Sequence, residues 1–136
     1  MIIQFIVEQW ILVAALVGTL ILLMLHESGK AGPSVSINGA IQLVNDTGGV
    51  FLDTREVSDF SRGHIANAIN IPLTVLKDRV NELEKFRDEP IVVVCKMGQS
   101  AGSATKILKS EGFSGAKKLS GGMMEWDAQK LPVVIK

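Results

Sequence analysis

The sequence has one cysteine, Cys95, and two histidines, His26 and His64, far apart in the chain. An internal disulfide framework and a cysteine-rich zinc site are thereby excluded, and no metal or cofactor is expected. Charge of one sign is missing too. Fourteen Lys/Arg face fourteen Asp/Glu, and the pI is near 6.7. A nucleic-acid binder normally carries a basic surplus or stripe, so nucleic acid is not an expected partner. There is no internal repeat and no low-complexity tract, and no Lys or Arg precedes Lys30. The 136 residues suffice for one compact domain and little else.

The apolar residues are distributed unevenly. Residues 1–25 hold 20 of the 64 hydrophobic residues and one charge, Glu8. The stretch Ile2 to Leu25 is interrupted only by Gln4, Glu8, Gln9, Gly18 and Thr19. As a helix rising about 1.5 Å per residue it would extend roughly 36 Å, enough for a hydrocarbon core of about 30 Å with some tilt. Trp10 suits an interface position. A cleaved signal peptide would need a basic n-region and an A-x-A-like site, and neither is found around His26-Glu27-Ser28-Gly29-Lys30. A buried core helix would carry a polar face. One transmembrane helix over 1–25 is therefore expected, with residues 2–25 as the membrane contact. Lys30 after the helix, against a flank without basic residues, puts the C-terminal part in the cytoplasm. An unpaired thiol agrees with a reducing compartment.

Residues 26–34, HESGKAGPS, are small and polar and read as a linker to a domain over 35–136. In that domain short apolar runs alternate with helical patterns. Strands are expected at Val35–Ile37, Val50–Asp53, Ala68–Asn70, Ile91–Val94 and Lys117–Leu119. Helices are expected at Gly39–Asn45, Glu56–Ser61, Val75–Phe86, Ala101–Ser110 and Met123–Gln129. In the 101–110 helix Ala101, Ala104, Ile107 and Leu108 share a face, and Ser100 is placed to cap it. Ile91-Val92-Val93-Val94 is a β-branched run without alternation, as in a strand covered on both faces of a parallel sheet. The alternation means α/β architecture with crossover helices.

In such sheets ligands bind beyond the carboxyl ends of the strands. Cys95 stands there, and Lys96-Met97-Gly98-Gln99-Ser100 lead straight into the next helix. A loop curling from strand to helix turns successive N–H groups inward, and the helix terminus adds partial positive charge. Gly98 permits a tight or left-handed turn. The expected result is a small anion cradle with a thiol at its base, in a field that favours thiolate. Lys96 adds attraction for an anionic substrate. The alternative is a cysteine that merely ends a buried strand as a small apolar residue. Neither dithiol exchange nor a Cys-His protease pair follows, because there is no second cysteine and His64 is remote in sequence.

Leu52-Asp53-Thr54-Arg55-Glu56, Phe60, Gly63-His64-Ile65 and Ala68-Ile69-Asn70-Ile71-Pro72 together resemble the first signature of rhodanese-like domains. Ile91–Val94 followed by Cys95-x-x-Gly98 resembles the active loop of that family. Leu119-Ser120-Gly121-Gly122 with Trp126 resembles its closing motif. The resemblance covers roughly residues 35–136, and with the membrane segment the chain is similar to single-domain, membrane-anchored rhodanese-like proteins of proteobacteria. It implies a parallel five-stranded sheet flanked by helices, at the bacterial inner membrane. It implies that a Cys95 thiolate takes the outer sulfur of a sulfane donor such as thiosulfate. The Cys95 persulfide then passes that sulfur to a thiol, cyanide or a sulfur-using protein, with the amides of 96–100 holding the anionic parts. Many family members carry Arg at the fifth position after the cysteine; here it is Ser100, which supplies no charge.

Asp53 and Arg55 are expected to fasten the loop after the second strand, and His64 to be a hydrogen-bonded structural residue. Gly121 and Gly122 are expected to let the chain approach the active loop, with Trp126 filling the core and Met123-Met124 packed there as well. Phosphatases of related fold resemble Cys-x5-Arg, but residue 101 is Ala. A non-catalytic docking or sulfur-relay module is the third class.

Overall fold

The computed structural model describes residues 1–31 and 33–135, and the chain divides into two compact units, Met1–Ala31 and Gly32–Lys136. The first unit is two helices, α1 (Ile2–Glu8) and α2 (Trp10–Ala31), meeting at 87°. This corrects the expectation of one continuous helix. Gln9 leaves the helical region (φ −113°, ψ 29°), while its N–H still bonds Phe5 and its carbonyl still accepts from Val13. The turn is thus centred on one residue, whose own N–H and carbonyl keep their helical partners. Among the described residues no single helix is long and apolar enough to cross a membrane, whereas the bent pair Ile2–Glu8 and Trp10–His26 passes that test together by length and composition. Helix α2 also runs on to Ala31, through residues expected to form the linker; no proline interrupts the chain before Pro33. Gly32, in the same expected linker, lies outside the described residues.

The second unit contains β1 (Ser34–Val35), α3 (Ile37–Thr47), β2 (Val50–Asp53), α4 (Val57–Arg62), β3 (Ile69–Asn70), α5 (Leu76–Arg79), β4 (Ile91–Val94), α6 (Ala101–Ser110), β5 (Ala116–Leu119) and α7 (Gly122–Ala128). The strands form one parallel sheet in the order β1-β5-β4-β2-β3. Alternate residues of the two central strands feed opposite cores. Val50, Leu52, Ile91 and Val93 pack with Leu76, Ala104, Leu108 and Phe113 on one side. Phe51, Val92 and Val94 pack with Ala40, Ile65, Met123 and Trp126 on the other. A strand buried on both faces favours apolar side chains at every position, hence the unbroken Ile91–Val94 run.

The expected 75–86 helix is instead a 3₁₀ turn at Leu73–Val75, the single turn α5, and a 3₁₀ stretch at Val80–Phe86. Side chains three apart eclipse in 3₁₀ geometry, and the ion pairs Arg79–Glu82 and Glu84–Arg87 both have that spacing. Leu76 and Leu83 remain fully buried, so the apolar anchors persist although the helix does not.

Candidate active site

From β2 the chain crosses to β3 on one side; from β4 it crosses to β5 on the other. The strand order therefore switches between β2 and β4, where an open parallel sheet forms its ligand crevice. Cys95 follows the last residue of β4 and is 2% exposed. The Gly98 N–H donates to Cys95 Sγ at 2.8 Å, so the loop curls back over the sulfur. Gly98 is left-handed (φ +90°), and a Cβ there would lie 3.3 Å from the backbone nitrogen of Gly121. Lys96, Met97, Gln99 and Ser100 are exposed, with Gly98 half-buried. The Gly98 N–H is the loop group bonded to the thiol, and Lys96 is the loop's only charged residue.

Two neighbouring segments hold this loop. From β2, the Thr54 N–H and Oγ1 both donate to the Val94 carbonyl, at 2.9 and 3.1 Å. From α7, the Met123 and Met124 N–H groups donate to the carbonyls of Cys95 and Lys96 at 2.8 and 2.9 Å. Gly122 makes the second approach possible: it is left-handed (φ +58°), and any Cβ would overlap the Cys95 carbonyl oxygen and lie 2.8 Å from the Gly98 nitrogen. Thr54 and the α7 amides are features that sequence reasoning missed. Thr54 sits inside the quoted Leu52–Glu56 motif; the α7 contact involves backbone alone and leaves no residue-type signal beyond the glycines.

Asp53, fully buried, takes the Arg55 guanidinium through Nε at 2.9 and 3.1 Å and Nη2 at 2.7 Å, and Arg55 Nη2 also donates to the Gly63 carbonyl at 2.8 Å. Asn70 Nδ2 donates to the carbonyls of Asp53 and Arg55, both at 3.0 Å, and was not singled out beforehand. Arg55 is thus engaged by protein. His64 is buried and stacked on Phe60 at 3.7 Å. Its Nδ1 lies 2.8 Å from the Phe60 carbonyl, which can only accept, so Nδ1 carries the proton. Its backbone pairs with Val134. Trp126 fills the core edge-on to Phe51, and its Nε1–H reaches the Pro132 carbonyl at 3.1 Å.

Two expectations are corrected. Ser100 makes no side-chain cap bond: its backbone is already helical (φ −77°, ψ −16°), whereas a capping side chain acts from extended backbone. Its hydroxyl is therefore free at the mouth of the loop. Met123 is in the core, but Met124, one position round α7, is 62% exposed. Among the described residues no cluster of His, Cys, Asp or Glu could hold a metal ion.

A buried thiol under a loop amide thus stands at the switch point of a parallel sheet, where such sheets bind their ligands. The Rhodanese-like domain profile matches residues 36–129, and the chain belongs to that family. The uncharacterized protein YibN of Escherichia coli (strain K12) is 35% identical over 96 residues, 70% of this chain and 67% of that protein. A rhodanese-related protein from Thermoplasma volcanium superposes with a TM-score of 0.68 at 29% identity, covering 76% of this chain and 99% of that one. The human single-domain sulfurtransferase TSTD1 superposes with a TM-score of 0.63 at 25% identity, covering 72% and 97%. The family thus includes sulfurtransferases.

Proposed function

We propose that the chain is a sulfurtransferase that carries sulfane sulfur on Cys95. The observation that carries this reading is the 2.8 Å bond from the Gly98 amide to the buried sulfur. A fixed N–H dipole supports negative charge on Sγ in the thiolate, and again as Sγ leaves the outer sulfur in the second half-reaction. With thiosulfate, the Cys95 thiolate attacks the outer sulfur and a new Sγ–S bond forms. The S–S bond of the donor breaks with its electron pair, and sulfite leaves, so charge is conserved. In the second half-reaction an acceptor thiol or cyanide takes the outer sulfur and returns the thiolate. Lys96 at the mouth favours an anionic donor, while Ser100 offers a hydroxyl and no charge, which makes small-thiol or protein persulfides comparable donors.

Intact mass spectrometry tests this. After thiosulfate or inorganic polysulfide, the protein should gain one sulfur, removable by cyanide, and Cys95→Ser should gain none. If wild type gains none from either donor, or Cys95→Ser gains as much, the site is a docking module without sulfur chemistry.

The reading includes attachment to a bacterial inner membrane through residues 2–25, with the second unit on the cytoplasmic side. The uncharged run from Trp10 to Leu25 and the lysine after it support this. Carbonate-resistant sedimentation with membranes, and protection of Cys95 from an impermeant thiol reagent in sealed cells, are the expected results. Release by carbonate overturns the anchor; ready labelling from outside reverses the orientation.

A further inference from the structure

The first unit bends by 87° at Gln9, and its two limbs differ in kind. From Trp10 to Leu25 helix α2 carries no charge and is apolar apart from Gly18 and Thr19. Helix α1 is segregated instead. At about 100° per residue, Gln4 and Glu8 stand only about 40° apart on its circumference, while Ile2, Ile3, Phe5, Ile6 and Val7 share an arc of roughly 200° centred on Ile6. All five apolar side chains are exposed, from 46% at Ile6 to 79% at Ile3, so no described part of the first unit covers that face.

Two features locate the bend relative to a bilayer. A helix break leaves end groups without intrahelical partners. The Phe5 and Gln9 carbonyls are taken by the Gln9 and Val13 N–H groups at 2.9 and 3.0 Å, but among the described residues no backbone N–H reaches the carbonyls of Ile6, Val7 and Glu8. Hydrocarbon offers such groups no partner, so a bend of this kind belongs at the hydrated headgroup level. Glu8 gives the same answer. In an upright helix starting at Ile2 it would lie about 9 Å along the axis, where an ionised carboxylate loses its water. On a limb lying in the membrane plane it keeps that water, together with Gln4. Trp10, the first residue of α2, has the amphipathic ring that favours the same level. The cost is length: Trp10 to Leu25 rises only about 24 Å, which local thinning of the bilayer by a few ångström accommodates.

We propose that α1 lies flat in the boundary between lipid headgroups and acyl chains, at the bilayer face opposite the one where His26 emerges, an inference that rests on residues 2–25 being the membrane attachment. Ile6 is centred on the lipid side, and Gln4 and Glu8 face water. The occupant of the apolar face is lipid because α2 delivers α1 to the bilayer surface through a single residue, Gln9. Attraction to anionic lipid plays no part: α1 holds no Lys or Arg, and apolar area alone keeps it in place. A foot of this kind limits how far α2 can slide along the membrane normal, which an upright end would not.

The test uses the full chain with Cys95→Ser in phosphatidylcholine nanodiscs, carrying one nitroxide at a time on Ile2→Cys, Gln4→Cys, Ile6→Cys or Leu16→Cys. Collisions with dissolved oxygen and with a water-soluble nickel chelate report depth. Labels 2 and 6 should lie in lipid at the same depth, label 4 should meet nickel about fivefold more often than either, and label 16 should be deepest. If label 16 is in lipid but label 6 lies about 6 Å deeper than label 2, the span is upright from its first residue, and the proposal falls while the anchor stands. Labels 2, 4 and 6 all open to nickel overturn it too. So do labels 2 and 6 shielded from both reagents, the mark of a second copy or another protein on that face. Label 16 open to nickel removes the anchor reading and the proposal together. A second measurement needs no label. With the sequence unchanged, the Ile11 and Leu12 amides should exchange with deuterium at least tenfold faster than those of Leu20 and Ile21; equal protection marks a helix continuous through Gln9 and overturns the proposal.

Discussion

Replacing Gly122 by alanine tests how the active loop is held. The residue is left-handed, which costs a non-glycine roughly 1–2 kcal/mol. The added methyl also overlaps the Cys95 carbonyl oxygen and lies 2.8 Å from the Gly98 nitrogen. Both obstacles are backbone of the loop itself, so they cannot rotate aside as a side chain would. Forced displacement of packed groups costs about 1–3 kcal/mol more. A total near 3 kcal/mol corresponds to a fall in Tm of roughly 12 °C for a domain of this size. The displacement also has a direction: it pushes α7 from the loop, stretching the Met123–Cys95 and Met124–Lys96 hydrogen bonds and the Gly98 contact to sulfur. Sulfur loading should therefore fall by more than tenfold even at temperatures where the variant is folded. Gly98→Ala meets Gly121 at 3.3 Å, a distance relieved by a shift of a few tenths of an ångström, and should be the milder of the two. Calorimetry and intact mass after polysulfide measure both effects. A Gly122→Ala protein that melts within 2 °C of wild type and loads sulfur normally would refute the reasoning.

Arg55→Met should destabilise by about 3–5 kcal/mol in urea, because it leaves the buried Asp53 carboxylate without its guanidinium; Asp53→Leu added to it should restore more than half, and a single-variant cost below about 1 kcal/mol would show the pair to be dispensable. Ser100→Arg should lower KM for thiosulfate about tenfold, as expected for one charge-assisted hydrogen bond, with the gain shrinking in high salt; an unchanged KM places residue 100 away from the donor. Hydrogen bonds from Arg79 and Arg87 hold the exposed Glu82 and Glu84 carboxyls below their ordinary value. Groups depressed in this way add stability above the unfolded-state value and lose it as pH falls through the folded one, so both pairs should persist below the usual glutamate range. Carboxyl ¹³C titrations should place both midpoints low, with Arg79→Gln returning Glu82 alone; an ordinary midpoint for Glu82 in wild type contradicts the pairing.

The central strands were legible in the sequence because burial on both faces imposes an apolar run, unbroken in Ile91–Val94 and closed by the Arg55-paired Asp53 in Val50–Asp53, and both match the structure residue for residue. The edge strands were read slightly wrong, since β1 and β3 are two residues long and too short to carry a pattern. At 75–86 the helical spacing of Leu76 and Leu83 was real, but those two anchors equally suit a mixed 3₁₀ path. Cys95 and Gly98 could be placed from the strand-to-helix step alone. The approach of Gly121-Gly122 to the loop was expected as well, but not the hydrogen bonds by which α7 grips it, because they join backbone groups more than twenty residues apart.

That grip also has a temporal side. Cys95 is made before Gly122, Met123 and Met124, whose backbone closes on its carbonyl and that of Lys96. A growing polypeptide that has reached residue 120 holds its nucleophile with no clasp around it, and the strand order places β5 and α7 last. Synthesis runs from the N-terminus, and domains assemble as units. The clasp is thus withheld until β5 and the start of α7 have been made, and a ribosome-bound fragment ending before Gly122 holds the Cys95 loop without it.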